Sequence, residues 1–289
     1  MSLAAAPSAH PVGVGVGLRR GHLVDYLQSA RRPAWVEVVP EAFAEGGLLP
    51  QRALDLAVSQ GVVIPHGVSL NLGGDGPAGG AHLDALARFA DRVGAPYYSD
   101  HVCASAAGGV ESFDLIPLPF CEEAAEYVAA RARRAREVLA RPLVLENITW
   151  YARMPGSAWS EGRFLREVLR ACDGGLLLDV ANVVVNARNH GLDARAALEA
   201  LPLERTVQIH LAGHRVDRAW GMVVDDHASA VSDETLALYA HALRRIGRPV
   251  PTLVEWDQRL PAWDTLLDEA ERVAAVARSV WAETPAVSP

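Results

Sequence analysis

The chain has 289 residues, half of them apolar and 21% charged, ample for a buried core and unlike a disordered segment. With 35 acidic against 27 basic side chains the formal charge is −8, which argues against bulk electrostatic binding to nucleic acid or anionic lipid. No run approaches the ~18 consecutive apolar residues of a membrane span, and the N-terminus lacks a basic region followed by an apolar stretch, so neither a span nor a signal peptide is expected. Cys103, Cys121 and Cys172 are odd in number, far apart and free of any C-x-x-C pairing, which fits a reducing, cytoplasmic location.

Apolar runs of strand length recur along the chain: Val12 to Leu18, Ala34 to Val39, Val62 to His66, Pro96 to His101, Pro142 to Glu146, Gly175 to Val180, Thr206 to Leu211 and Pro251 to Glu255. Between them lie stretches with charges at helical spacing, among them Leu83 to Val93, Cys121 to Leu139, Arg163 to Ala171, Ala194 to Leu201 and Asp233 to Ile246. Eight β-then-α units in about 250 residues predict an α/β fold, a single (β/α)8 TIM barrel. Its expected span is 12–280, flanked by tails at 1–11 and 281–289. A doubly wound open sheet has the same periodicity and is the alternative. Gly13, Gly15 and Gly17 lack the third glycine of a dinucleotide fingerprint, and the glycines from Gly73 to Gly80 lack the Lys-Ser/Thr of a phosphate loop.

In such a barrel the C-terminal strand ends build the active site. Here those ends carry titratable residues almost without exception: Glu37 and Glu41, His66, Asp100-His101, Glu146-Asn147, Asp179, His210, then Glu255 with Asp257 beyond. One buried carboxylate or histidine is more often a satisfied core group than a ligand. A whole ring of them holds charge too costly to bury unless cations neutralise it. Imidazole and carboxylate donors without thiolate suit Fe, Mn or Zn. His66, His101, Glu146, Asp179, His210 and Glu255 exceed what one catalytic ion takes, so two or more ions sharing a carboxylate are expected.

Asp225 and His227, two apart on an extended loop, point the same way and can chelate one ion. Asn182 either turns back into the site or caps the helix after Asp179. His190, Asp100 and His214 are candidates to hold the second ring nitrogen of a metal-bound imidazole or to touch substrate. Arg19 can anchor a substrate carboxylate or pair with a site acid.

The segments His66-Gly-Val-Ser-Leu-Asn-Leu-Gly73, Ser99-Asp-His101, Leu115-Ile-Pro-Leu-Pro119, Leu145-Glu-Asn147, Leu177-Leu-Asp-Val-Ala-Asn182, Asn189-His-Gly-Leu-Asp193, Ile209-His-Leu-Ala-Gly-His214, Asp225-Asp-His227 and Val254-Glu-Trp-Asp257 occur in one order and spacing. In this the chain resembles the DUF692 family, the multinuclear non-haem iron-dependent oxidative enzymes that include the methanobactin biosynthesis oxidase. The resemblance runs from about Gly13 to Ala275.

It implies a TIM barrel with two or three irons of mixed Fe(II)/Fe(III) valence, dioxygen as co-substrate, and oxidation of a ribosomally made precursor peptide, commonly at cysteine. One iron would use His66, His101 and Glu146. Glu146 would bridge to a second held by Asp179, His210 and Glu255, and a third would use Asn182, Asp225 and His227. Catalysis then falls to Glu146, Asp179, His210 and Glu255, with Arg19, Glu37, Asp100, Asn147, His190, His214 and Asp257 around them. A separate small leader-recognition protein is the expected partner, with no nucleic acid and no membrane.

Two positions depart from the usual family pattern. Glu41-Ala-Phe stands where relatives often read Glu-Asn-Tyr-Phe, and Asp100 replaces the Glu of Ser-Glu-His. Two other readings compete: a Zn- or Mn-dependent hydrolase or isomerase on the same barrel, and a barrel that only binds peptide.

Overall fold

The apolar runs fold into eight parallel strands: β1 Val14–Gly17, β2 Val36–Val38, β3 Val63–Pro65, β4 Tyr98–His101, β5 Leu143–Glu146, β6 Gly175–Asp179, β7 Thr206–Ala212 and β8 Thr252–Glu255. The structure, a computed structural model, describes residues 10–44, 46–76 and 79–283, so most of both expected tails lies outside the described residues. Hydrogen-bonded neighbours run β3-β2-β1-β8-β7-β6-β5-β4. The ring closes at the β3–β4 seam through a parallel bridge between His66 and Ser99, with Gly67 N–H donating to Ser99 O at 2.7 Å. This is the predicted TIM barrel.

Helices Ala81–Arg92, Glu122–Leu139, Glu161–Cys172, Ala194–Ala200 and Asp233–Ile246 fall where the amphipathic spacing places them. Ser160, Asp193 and Ser232 cap three of them by accepting from backbone N–H groups in the first turn. Val180, read from sequence as strand, instead opens helix Val180–His190, because the Asp179 side chain caps it at Asn182 N. The last helix, Trp263–Glu283, continues past the expected boundary at 280. Among the described residues no helix is long and apolar enough to cross a membrane.

Alternate strand residues face opposite ways, giving two apolar layers. Outward residues such as Val16, Val38, Leu145, Leu176, Leu178, Ile209, Leu211 and Val254 pack against the helices. Inward residues Trp35, Ile64, Tyr97, Val144, Leu177 and Leu253 form a separate cluster inside the barrel. The inward positions of β1 are glycines for steric reasons: a Cβ at Gly15 would sit 2.4 Å from the Trp35 ring, and one at Gly17 3.0 Å from the Arg19 guanidinium. Two antiparallel hairpins absent from the sequence reading follow β4 (Ala104–Ala107 with Val110–Ile116) and β7 (Arg215–Asp217 with Met222–Val224).

Candidate metal centre

Two residues along a strand is one pleat repeat, so the residue two beyond each floor position also points inward, one layer nearer the C-terminal mouth. Trp35 leads to Glu37, Ile64 to His66, Tyr97 to Ser99 and then His101, Val144 to Glu146, Leu177 to Asp179, and Leu253 to Glu255. Strand register sets them side by side, pairing His101 with Glu146 and Asp179 with His210. All are buried.

His66, His101 and Glu146 converge on one point. His66 Nε2 lies 3.3 Å from His101 Nε2 and 3.2 Å from Glu146 Oε2, which is 3.4 Å from His101 Nε2. Donor atoms about 3–3.5 Å apart are spaced as they would be around a shared ion at about 2.1 Å from each. The His66 ring is aimed by Ser99, whose Oγ meets Nδ1 at 3.0 Å and leaves Nε2 for the cluster.

Glu146 also faces the other way. Its Oε1 is 3.8 Å from His210 Nδ1, which is 3.2 Å from Glu255 Oε2. Glu146, Asp179, His210 and Glu255 offer one donor atom each, all within 4.8 Å of one another. Arg19 holds Glu255 Oε1 at 2.8 Å and turns Oε2 toward the histidines.

At the rim, His227 Nε2 meets Asp225 Oδ1 at 2.8 Å, and Thr149 Oγ1 links Asn182 Oδ1 at 2.6 Å to Asp225 Oδ2 at 3.1 Å. His227 Nδ1 reaches Asp257 Oδ2 at 3.1 Å and Glu255 Oε2 at 3.5 Å, joining this group to the previous one. His227 has φ +43°, in the left-handed region that a side chain with a Cβ adopts at a cost. Its carbonyl accepts from Asp257 N and Gln258 N, which fixes the conformation.

Without cations the electrostatics conflict. Burial pushes Glu146 up to about 7 even beside His101 and His210. Burial, with Glu146 and Asp225 adding repulsion, raises Asp179 well above the carboxylate range. Burial opposes charge on His101, yet Glu146 and Asp100 hold it at about 9. His66, buried beside two other imidazoles, is held well below the usual histidine value. Among the described residues Glu146 Oε2, Asp179 Oδ2 and His210 Nδ1 are buried without a hydrogen bond, where such atoms are normally satisfied. Cations at these points would supply the missing partners, so the donor set fits metal ions.

The remaining sequence candidates separate. Glu37 Oε2 sits 3.0 Å from His210 Nε2. Asp100 accepts from His101 N and Leu70 N, tying the β3 loop to β4. The Asn147 amide clamps the Asp179 backbone in both directions at 2.9 Å. Asp257 pairs with Arg19 and His227. The structure does not bring His190 or His214 to the cluster. His190 ends its helix stacked on Trp150, ring centroids 3.9 Å apart, with Nε2 on Trp150 O, and half-buried His214 lies beside Arg188 and Glu234, with Asp225 and Asp226 acting on it more weakly. Sequence reasoning missed Ser99, Thr149, Gln208 and Tyr97. For Ser99 and Gln208 the signal was available, since each stands two residues before a ligand-type histidine on the same strand face.

Fold and site define a (β/α)8 barrel with a histidine and carboxylate cluster at its mouth, the donor set of a metal-dependent enzyme. Residues 13–278 match the family model described as "RiPP precursor modification enzyme MbnB/TglH/ChrH", and the chain belongs to that family of enzymes acting on ribosomally made precursor peptides. It is 41% identical over 265 residues to a UPF0276 protein of Anaeromyxobacter sp., covering 92% of this chain and 93% of that one. It is 40% identical over 274 residues to a UPF0276 protein of Caulobacter vibrioides, covering 93% and 94%. Among solved structures, D-psicose 3-epimerase of Clostridium cellulolyticum superposes with TM-score 0.59 at 10% identity, over 94% of this chain and 99% of that one. A xylose isomerase domain protein of Alicyclobacillus acidocaldarius gives TM-score 0.57 at 18% identity, over 95% and 99%. Those two likenesses carry the fold alone.

Proposed function

We propose that this enzyme is a multinuclear non-haem iron oxidase that uses dioxygen to modify a residue, cysteine foremost, of a ribosomally synthesised precursor peptide. The observation that carries the reading is the position of Glu146. Its two oxygens face different donor sets, Oε2 toward His66 and His101 and Oε1 toward His210, as a carboxylate shared by two ions would. One ion falls to His66, His101 and Glu146, a second to Glu146, Asp179, His210 and Glu255, and a third to Asn182, Asp225 and His227. Iron, when bound, supplies the electron transfer and dioxygen chemistry that side chains lack.

The chain's own residues do the positioning. Ser99 orients His66, Arg19 orients Glu255, and Asn147 locks the Asp179 backbone, so the donors are held before any ligand arrives. The apolar floor beneath closes the barrel to water from the opposite end, which leaves the mouth as the approach for a peptide side chain. The three cysteines are free and no described helix suits a membrane, in keeping with a cytoplasmic enzyme that meets its peptide through a separate leader-recognition partner.

The test is peptide mass. The protein, loaded anaerobically with iron and given a cysteine-bearing precursor encoded beside its gene, the partner and dioxygen, is expected to change that peptide's mass, and the zinc-loaded protein is not. Turnover with zinc or manganese in the absence of dioxygen would instead select the hydrolase or isomerase. An unchanged peptide under every metal would select the binding protein.

A further inference from the structure

Below the donor cluster the barrel interior contains a buried polar chain. Tyr97 and Gln208 are inward residues of the segments that carry His101 and His210, and Glu37 is the inward residue above Trp35. All three are buried, with at most 1% of their surface exposed. Tyr97 Oη donates to Gln208 Oε1 at 2.5 Å, and Gln208 Nε2 donates to Glu37 Oε2 at 2.7 Å. His210 Nε2 lies 3.0 Å from that same carboxylate oxygen and 2.7 Å from Gln208 Nε2. Among the described residues Glu37 Oε1 has no hydrogen-bond partner.

A carboxylate, an amide and a phenol within the interior of a barrel are costly, and hydrophobic residues of similar size would fill the space at less cost. Geometry accounts for their presence. A carboxylate oxygen accepts and does not donate, whereas the Gln208 amide nitrogen donates, so with Nδ1 held for an ion the proton on His210 Nε2 goes to Glu37 Oε2 rather than to Gln208 Nε2. A neutral ring with its proton on Nε2 has its lone pair on Nδ1, and His210 Nδ1 is the atom directed at Glu255 and Glu146. Glu37 also falls within donor distance of His66 and His210 as a group. Its Oε2, however, is engaged by Gln208 and His210 and acts on the cluster as a support.

We infer that Glu37, Gln208 and Tyr97 form a positioning relay that fixes the His210 ring with Nδ1 toward the metal centre. Gln208 holds Glu37 in place, Tyr97 fixes the orientation of the Gln208 amide, and the relay acts only through His210. The inference rests on the metal-centre reading above and extends it to residues one layer deeper.

The experiment is iron(II) affinity measured anaerobically by competition with a chelator, together with Mössbauer spectra of the iron-loaded protein, for wild type, Glu37→Gln, Gln208→Leu and Tyr97→Phe. Each variant's folding is checked by circular dichroism of the metal-free form. Glu37→Gln and Gln208→Leu are expected to weaken one and the same iron by about 10–100-fold and to shift its quadrupole splitting, leaving the others unchanged. The isosteric Tyr97→Phe keeps the fold and is expected to weaken that iron by a smaller factor, about threefold, with a shift in the same direction. If Gln208→Leu and Tyr97→Phe both bind every iron with wild-type affinity and spectrum, the relay is wrong. Loss of a whole iron in Glu37→Gln beside an unaffected Gln208→Leu would make Glu37 a ligand and overturn it equally. A wild-type protein that binds no iron would overturn the metal reading itself, and the relay with it.

Discussion

The floor and the mouth of this barrel are built from the same strands and lie one pleat step apart, yet they are governed by opposite terms. Trp35, Ile64, Tyr97, Val144, Leu177 and Leu253 close the interior with apolar surface, whose burial favours folding at roughly 25 cal/mol per Å². One step higher, Glu37, His66, Glu146, Asp179, His210 and Glu255 bury titratable groups, whose desolvation opposes folding unless partners compensate. Stability is concentrated in the lower layer, and the upper layer spends part of it on holding donors in place.

The sharpest break should come from Glu146→Ala. It removes the oxygen atoms facing both donor sets, so product formation is expected to fall by about a thousandfold or more, with at least one iron lost by elemental analysis. The metal-free variant should be no less stable than the metal-free wild type, because a buried carboxylate that resists ionisation is gone. Leu177→Ala, two residues below Asp179, should do the reverse. Urea unfolding should register a loss of about 2–5 kcal/mol from the cavity, while metal content per folded chain stays at the wild-type value.

A smaller effect separates the layers by pH. His101, held at about 9, and Glu146, at about 7, must both give up their protons before they bind an ion. The metal-free protein therefore carries more protons than the loaded one, and acid favours the metal-free form. Iron(II) affinity should fall as pH drops, by about tenfold per unit for each proton displaced, and the titration should release acid into an unbuffered solution. The smallest effect is expected at His214→Ala. Half-buried beside Arg188 and Glu234, with Asp225 and Asp226 acting on it more weakly, it should leave metal content unchanged and stability within about 0.5 kcal/mol.

Much of this was legible because period two and the barrel's polarity are both written in the chain. His66, His101, Glu146, Asp179 and Glu255 are the last inward residues at their strand ends and His210 the last but one, so reading the strand ends finds them. Asp179 shows the limit: it caps the next helix and faces the cluster, two roles that one position in a sequence does not separate. His190 and His214 lie in motif segments but leave the cluster, since one ends a helix and the other lies beyond the end of β7. The hairpin Ala104–Ala107 with Val110–Ile116 gave no periodic signal, as most of its outer strand is exposed on both faces. Gln208 and Tyr97 were passed over because a polar residue in mid-strand reads as noise until its partner two residues on is known to bind something.

The central claim is that Glu146 is shared between two irons, and the most direct measurement is iron content with Mössbauer spectroscopy on protein isolated anaerobically from iron-supplemented cells, wild type beside Glu146→Ala. The account predicts two or more irons per wild-type chain with a magnetically coupled signal that the substitution abolishes. A single zinc or manganese per chain, or a coupled pair that survives the loss of Glu146, would contradict it.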